Sequence, residues 1–244
     1  MKKIFLILFI VPILGFSQGE AKPNKEKKKK GYYKWDIGIN GGVNINNPLV
    51  DESKDLSFDN VGGKLYGLTL VYHFNRFFAL KADFDIENRG WFMKNHTSLV
   101  DPNNSNPNLA SSVNLDSITQ ILDYFDIPAF MHIGFGKKFK VDLNIGPYFG
   151  FKIKDEIYAY NSNGDELEAS ETRGAIGLSP DGFNNFDFGL VYGIGFDYQI
   201  HERFSIGFDA LYERGMRIIN EGNYRNSSID FDFGINFQIG NKKK

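Results

Sequence analysis

The chain has 244 residues, 28 of them basic and 30 acidic, for a formal net charge of −2. It contains no cysteine, which excludes a disulfide framework, a thiolate nucleophile and a cysteine-ligated metal. The mild acidity argues against a nucleic-acid partner, which calls for a basic surface.

Residues 1–17 read as a secretion signal. Lys2 and Lys3 form its basic start, residues 4–14 an apolar run, and Gly15-Phe16-Ser17 offers small residues for cleavage before Gln18. The run is well short of the roughly 20 residues that a spanning helix needs. Residues 18–31 form a lysine-rich leader, with four consecutive lysines from position 27 onward, too polar to fold by itself.

Residues 32–240 contain eight segments that alternate between apolar and small or polar side chains, and 241–244 is a basic tail. A period of two sustained over this length is strand, not helix. Strand one sets Tyr33, Trp35, Ile37, Ile39 and Val43 against Lys34, Asp36, Gly38, Asn40, Gly42 and Asn44. Strand two sets Tyr66, Leu68, Leu70, Tyr72 and Phe74 against Gly67, Thr69, Val71 and His73. In strand three Phe78, Leu80, Ala82, Phe84 and Ile86 oppose Lys81, Asp83, Asp85, Glu87 and Arg89. Strand four, residues 123–135, is the least regular, with Phe125, Ile127, Ala129, Met131 and Ile133 against Asp126, Pro128, Phe130 and His132. Strand five places Phe139, Val141, Leu143, Ile145, Phe149, Phe151 and Ile153 opposite Lys140, Asp142, Asn144, Gly146, Tyr148, Gly150 and Lys152. Strands six to eight repeat the pattern, their polar faces carrying Asp187 and Asp197, then Asp209 and Glu213, then Asp230 and Asp232.

Alternation alone does not say which face is inside. The polar face is studded with glycine, which suits a narrow, filled lumen better than a solvated strand surface. The apolar faces hold more aromatic volume than a small barrel can enclose. Aromatic residues are 16% of the chain, and the expected fold is therefore all-β: an eight-stranded antiparallel up-and-down transmembrane β-barrel in the outer membrane, facing lipid.

The connections alternate long and short. Three short ones share one form: Phe74 and Phe78 around Asn75-Arg76-Phe77, Phe135 and Phe139 around Gly136-Lys137-Lys138, and Ile200 and Phe204 around His201-Glu202-Arg203. Each is expected to close a hairpin across a three-residue turn on the periplasmic side. The same counting sets Ile127 opposite Pro147 and Pro128 opposite Gly146. The remaining links, residues 45–63, 95–122, 155–185 and 219–227, would form the outer loops, with both termini in the periplasm.

Tyr124-Phe125-Asp126-Ile127-Pro128 and Gly146-Pro147-Tyr148-Phe149-Gly150 put a proline into each of two adjacent strands. Proline inside a paired strand normally costs a ladder hydrogen bond, which makes the coincidence informative. On these two segments the chain resembles the PorT-like outer-membrane β-barrel family over residues 32–240. The resemblance implies the barrel fold, the outer-membrane location and, for some members, a tie to secretion or surface assembly. The chain ends Phe237-Gln238-Ile239-Gly240-Asn241 and three lysines, departing from the usual terminal aromatic.

Little in the sequence points to catalysis. His73, His96, His132 and His201 show no metal-ligand spacing, so no cofactor or metal is expected. His96-Thr97-Ser98 has the His-x-Ser form found in some lipid A deacylases, but three residues in a polar loop make no catalytic constellation. Asp116-Ser117-Ile118 resembles a short O-glycosylation motif. The inward acids, Asp36, Asp83, Asp85, Glu87, Asp126, Asp142, Asp187, Asp197, Asp209, Glu213, Asp230 and Asp232, share the lumen with Lys34, Lys81, Arg89, Lys140 and Lys152. A hydrogen-bonded plug is the expectation, because eight strands leave room only for side chains; a narrow cation path is the alternative. Lys81 is placed between Asp83 and its cross-strand neighbours. The reading is a monomeric, non-enzymatic barrel in outer-membrane lipid, binding a protein or surface glycan through its loops or periplasmic end. A lipid A enzyme or a cation-selective pore stands as the other possibility.

Overall fold

The computed structural model describes residues 31–49, 58–97, 114–161, 163–168, 183–220 and 223–243. The expected signal and almost all of the leader lie outside them. Eight strands form one closed ring in sequence order: β1 (Trp35–Asn46), β2 (Val61–His73), β3 (Phe78–Thr97), β4 (Asn114–Gly136), β5 (Phe139–Asn161), β6 (Phe186–Gln199), β7 (Phe204–Gly215) and β8 (Ser227–Ile239). Every neighbouring pair is antiparallel, and β1 closes the ring on β8 from Trp35↔Ile239 to Asn46↔Ser228. Closure removes the unpaired edge that lipid could not satisfy.

The faces follow the alternation. Ile39, Tyr66, Leu68, Ile145, Ile194 and Phe233 are exposed on the outer wall, while Asp36, Asp83, Asp126, Asp187 and Asp230 are buried inside. Tyr33 departs from this rule. It precedes β1, is buried, and lies under the cations of Arg203 and Lys242, 5.2 and 5.3 Å from its ring centroid. A bridge between Tyr32 and Lys243 holds both ends of the described chain at the short-turn end.

Two of the three short hairpins close as expected: the Phe74 amide donates to the Phe78 carbonyl at 3.0 Å, and Ile200 to Phe204 at 2.9 Å. The third does not. Phe135 faces Val141 and Gly136 faces Lys140, a shift of two residues, so Ile127 meets Phe149 and Pro128 meets Tyr148. Gly136 explains the shift. Its φ of 139° is open to glycine, and a Cβ there would sit 2.0 Å from the Phe139 carbonyl oxygen. A two-residue slip preserves the faces, so the inside and outside assignments survive.

The larger correction concerns the outer loops. Residues expected in the link 95–122 belong partly to strands, since β3 runs to Thr97 and β4 starts at Asn114; β5 likewise continues to Asn161. The β4–β5 pairing continues through a bulge: Tyr124 pairs with Lys152 but Asp123 pairs with Lys154, which leaves Ile153 as an extra residue. Beyond it the inward residues of β5 change from even to odd numbers, with Ile157 and Ala159 buried. A second bulge sits between Leu115 and Ser117, at Asp116.

Candidate functional site

The lumen is built in layers, because strands set side chains on it every second residue. At the short-turn end His73 Nε2 lies 2.9 Å from Asp36 and His132 Nε2 lies 3.2 Å from Asp142. The next layer centres on Lys81, whose Nζ reaches Asp209 at 2.7 Å and Asp83 at 3.4 Å. Lys81 thus pairs across the barrel with β7; its cross-strand neighbours are Val71 and Phe130, not acids. Asn40 Nδ2 donates to Asp85 at 2.8 Å and to Asp232 at 3.2 Å, and the Thr69 hydroxyl donates to Asp83 at 2.6 Å.

Above Lys81 comes a compact apolar layer of Phe130, Tyr148, Val191 and Leu211. Arg89 crowns it, buried to 3% exposure. Its guanidinium meets Glu87 at 2.8 Å, Glu213 at 2.5 Å, Asp126 at 3.2 Å and Asp187 at 3.7 Å. It also lies over the rings of Tyr148 and Tyr124, at 4.8 and 5.4 Å. The Tyr148 hydroxyl donates to Asp187 at 2.9 Å. One cation held by several carboxylates and two aromatic faces is a rigid junction between strands β3, β4, β5, β6 and β7. The two proline-bearing segments therefore meet here: one supplies Tyr124 and Asp126, the other Tyr148 and Gly150. A Cβ at Gly150 would lie 2.8 Å from Asp126 Oδ1, so glycine makes room for that carboxylate.

Beyond Arg89 the interior turns apolar. Trp91, Met93, Ile118, Leu122, Ile157, Phe183, Ile219 and Tyr224 form a buried cap at the long-loop end. Trp91 stacks on Tyr224 at 5.4 Å, and Phe183 meets Trp91 edge-on at 5.1 Å. Burial pushes the Tyr224 phenol pKa up from its ordinary value. Sequence reasoning missed this cap, because Ile118, Leu122, Ile157, Phe183, Ile219 and Tyr224 fall in the stretches read as loops, and Trp91 and Met93 lie past the last residue assigned to strand three.

The space left around Lys81, His73 and His132 is a cavity of about 30 Å³, room for a water or so rather than a water column. A separate hollow of about 300 Å³ opens beside Gly62, Gly63 and Asn88 and reaches Arg89. There the β2–β3 ladder stops at Leu65↔Glu87, and among the described residues backbone pairing resumes at the Asp59↔Phe92 bridge, just before β2. Asn44 Nδ2 fills part of the gap by donating to the Asn88 carbonyl at 3.0 Å.

The other sequence candidates are not brought together. His96 is placed on β3 opposite Leu115, and Ser98 lies outside the described residues. Asp116 is exposed on the β4 bulge, while Ser117 beside it is only half-exposed. Among the described residues, His132, Asp142 and Asp197 form one group able to hold a metal ion, and Glu87, Glu213 and Asp230 form another. Two members of the second group, Glu87 and Glu213, already hold Arg89.

Three solved structures are similar to the chain. The chain is similar to OprG from Pseudomonas aeruginosa (15% identity, 86% of this chain and 99% of that one, TM-score 0.47). It is similar to outer membrane protein W from E. coli (15% identity, 85% and 100%, TM-score 0.42) and to Neisserial surface protein A (11% identity, 84% and 97%, TM-score 0.43). No curated protein matches the sequence. Residues 16–221 match the family described as the outer membrane protein beta-barrel domain, and with its closed eight-stranded ring the chain belongs to that family and to the cell outer membrane.

Proposed function

We propose that the protein is a monomeric, non-enzymatic outer-membrane barrel that binds a protein partner or surface glycan through its long-loop end. The filled interior carries this reading: Arg89, Lys81 and the apolar layer between them occupy the lumen, and the Trp91 cap lies above them. A sealed barrel offers its ends and loops for recognition, not its axis. The PorT-like resemblance, with its tie to secretion or surface assembly, belongs to the same proposal. Its two segments converge on Arg89, so they maintain the scaffold rather than contact a partner.

The test is crosslinking on intact cells. The full chain should retrieve a specific partner that is lost when residues 98–113 are replaced by a Gly-Ser linker and kept in Lys154→Gln. Retrieval that ignores the loop would overturn the reading. Orientation is checked in the same cells: a tag beside Asn163 should be reachable from outside and one at Lys244 should not. The lipid A alternative predicts that His96→Ala with Ser98→Ala changes the lipid A mass spectrum, whereas a non-enzymatic barrel leaves that spectrum unchanged.

A further inference from the structure

Three strands converge at the short-turn end of the lumen. His132 stands on β4, Asp142 on β5 and Asp197 on β6, and one ligand atom from each lies within 4.8 Å of the others. His132 is 8% and Asp142 1% exposed. The register clears space for both carboxylates, since Gly134 faces Asp142 and Gly207 faces Asp197. A Cβ at Gly134 would lie 2.5 Å from Asp142 Oδ1, and one at Gly207 would lie 2.9 Å from Asp197 Oδ1. Any larger residue would push these carboxylates aside.

Hydrogen bonding fixes how the imidazole is presented. Asn144 Nδ2 donates to the Asp209 carboxylate at 2.8 Å, so the amide oxygen is the atom that faces His132 Nδ1, also at 2.8 Å. An amide oxygen only accepts, and Nδ1 must therefore carry the hydrogen. In its neutral form the ring then turns the Nε2 lone pair toward Asp142 Oδ1, 3.2 Å away. That oxygen is buried. Two lone pairs at this distance need a positive charge between them, a proton or a metal ion, and Asp142 Oδ1 has no aligned N–H donor. Bonds of 2.0–2.1 Å to a tetrahedral ion put neighbouring ligand atoms about 3.3 Å apart, close to the 3.2 Å between His132 Nε2 and Asp142, with Asp197 within 4.8 Å of both. The Asn144 bond to the far ring nitrogen is the outer-shell contact that ligating histidines normally make. Lys140 faces Asp197 in the register, so part of the carboxylate charge is already balanced and a divalent ion suffices.

We propose that His132 Nε2, Asp142 and Asp197 form a binding site for a divalent transition-metal ion of the zinc class, entered from the short-turn end. The full chain, refolded in detergent micelles and stripped with chelator, is titrated with zinc chloride near neutral pH by calorimetry. One zinc should bind, with affinity lowered about tenfold or more in His132→Gln and in Asp142→Asn and retained in His73→Gln. Because the first two variants remove buried polar groups, the unchanged protein supplies a second readout. In its nitrogen-15 spectrum zinc should shift Nε2 of one histidine while that ring's Nδ1 keeps its hydrogen, as the Asn144 contact requires. Zinc affinity unchanged in a folded His132→Gln would overturn the site. So would a His132 ring protonated on both nitrogens and indifferent to zinc, which would make the contact a plain ion pair.

Discussion

Two regions of one wall obey opposite rules. Where Ile39, Leu68 and Ile145 are exposed on the outer wall, the interior holds Asp36, Lys81, Asp83 and Arg89. Toward the long loops Lys154 is exposed, and the interior holds Trp91, Ile118, Leu122 and Ile157. The difference follows from the solvent outside. Lipid takes the apolar face, and leaves the polar face to satisfy itself across the lumen. Water takes the polar face, and the same strands then bury an ordinary apolar core. A single barrel therefore carries two kinds of interior, joined at Arg89.

The comparison breaks most severely at that junction. Arg89→Met would leave Glu87, Asp126, Asp187 and Glu213 without their shared cation. Removing one partner of a buried ionic cluster costs about 3–5 kcal/mol, and the upper end, about 5 kcal/mol, is expected here. Urea unfolding in micelles should show a large loss of midpoint or no folded barrel at all. Lys81→Met removes fewer contacts and should cost about 4 kcal/mol, with no new conductance in planar bilayers. Unchanged stability together with a cation conductance would replace the plug by a pore.

The cap should respond differently in kind as well as size. Trp91→Ala removes the ring stacked on Tyr224 and is expected to cost about 3 kcal/mol. The loss should be local: limited proteolysis should trim the long-loop end faster while the urea midpoint of the barrel moves little. A global loss equal to that of Lys81→Met would mean that cap and lumen form one cooperative unit. The smallest effect belongs to Lys154→Gln. Its ammonium meets Glu156 at 2.7 Å in open solvent, and no measurable change in midpoint is expected.

The alternation made the lumen legible residue by residue. Each acid from Asp36 to Asp232 that the period of two turned inward is buried or half-buried in the barrel. The turns were legible where a three-residue link joined two aromatic or aliphatic ends, as at Phe74 and Phe78. At Gly136 that form misled, because the glycine takes a backbone conformation that the residue pattern around it does not announce. The cap was illegible for a related reason. The bulge at Ile153 changes which positions of β5 point inward, and the alternation changes meaning where the outer solvent changes. A segment such as Ser117-Ile118-Thr119-Gln120 then reads as a polar loop, although Ile118 and Gln120 are buried.

Composition and period by themselves determined the fold class, the number of strands and the face of nearly every residue in the membrane part, because closed barrels are the only β solution in lipid. Partners across the lumen belong to the tertiary structure alone. Nothing local ties Lys81 to Asp209, 128 positions away, or gathers His132, Asp142 and Asp197 from three strands. Those contacts depend on the curvature and closure of the ring, which bring side chains together through space that no spacing along one strand records.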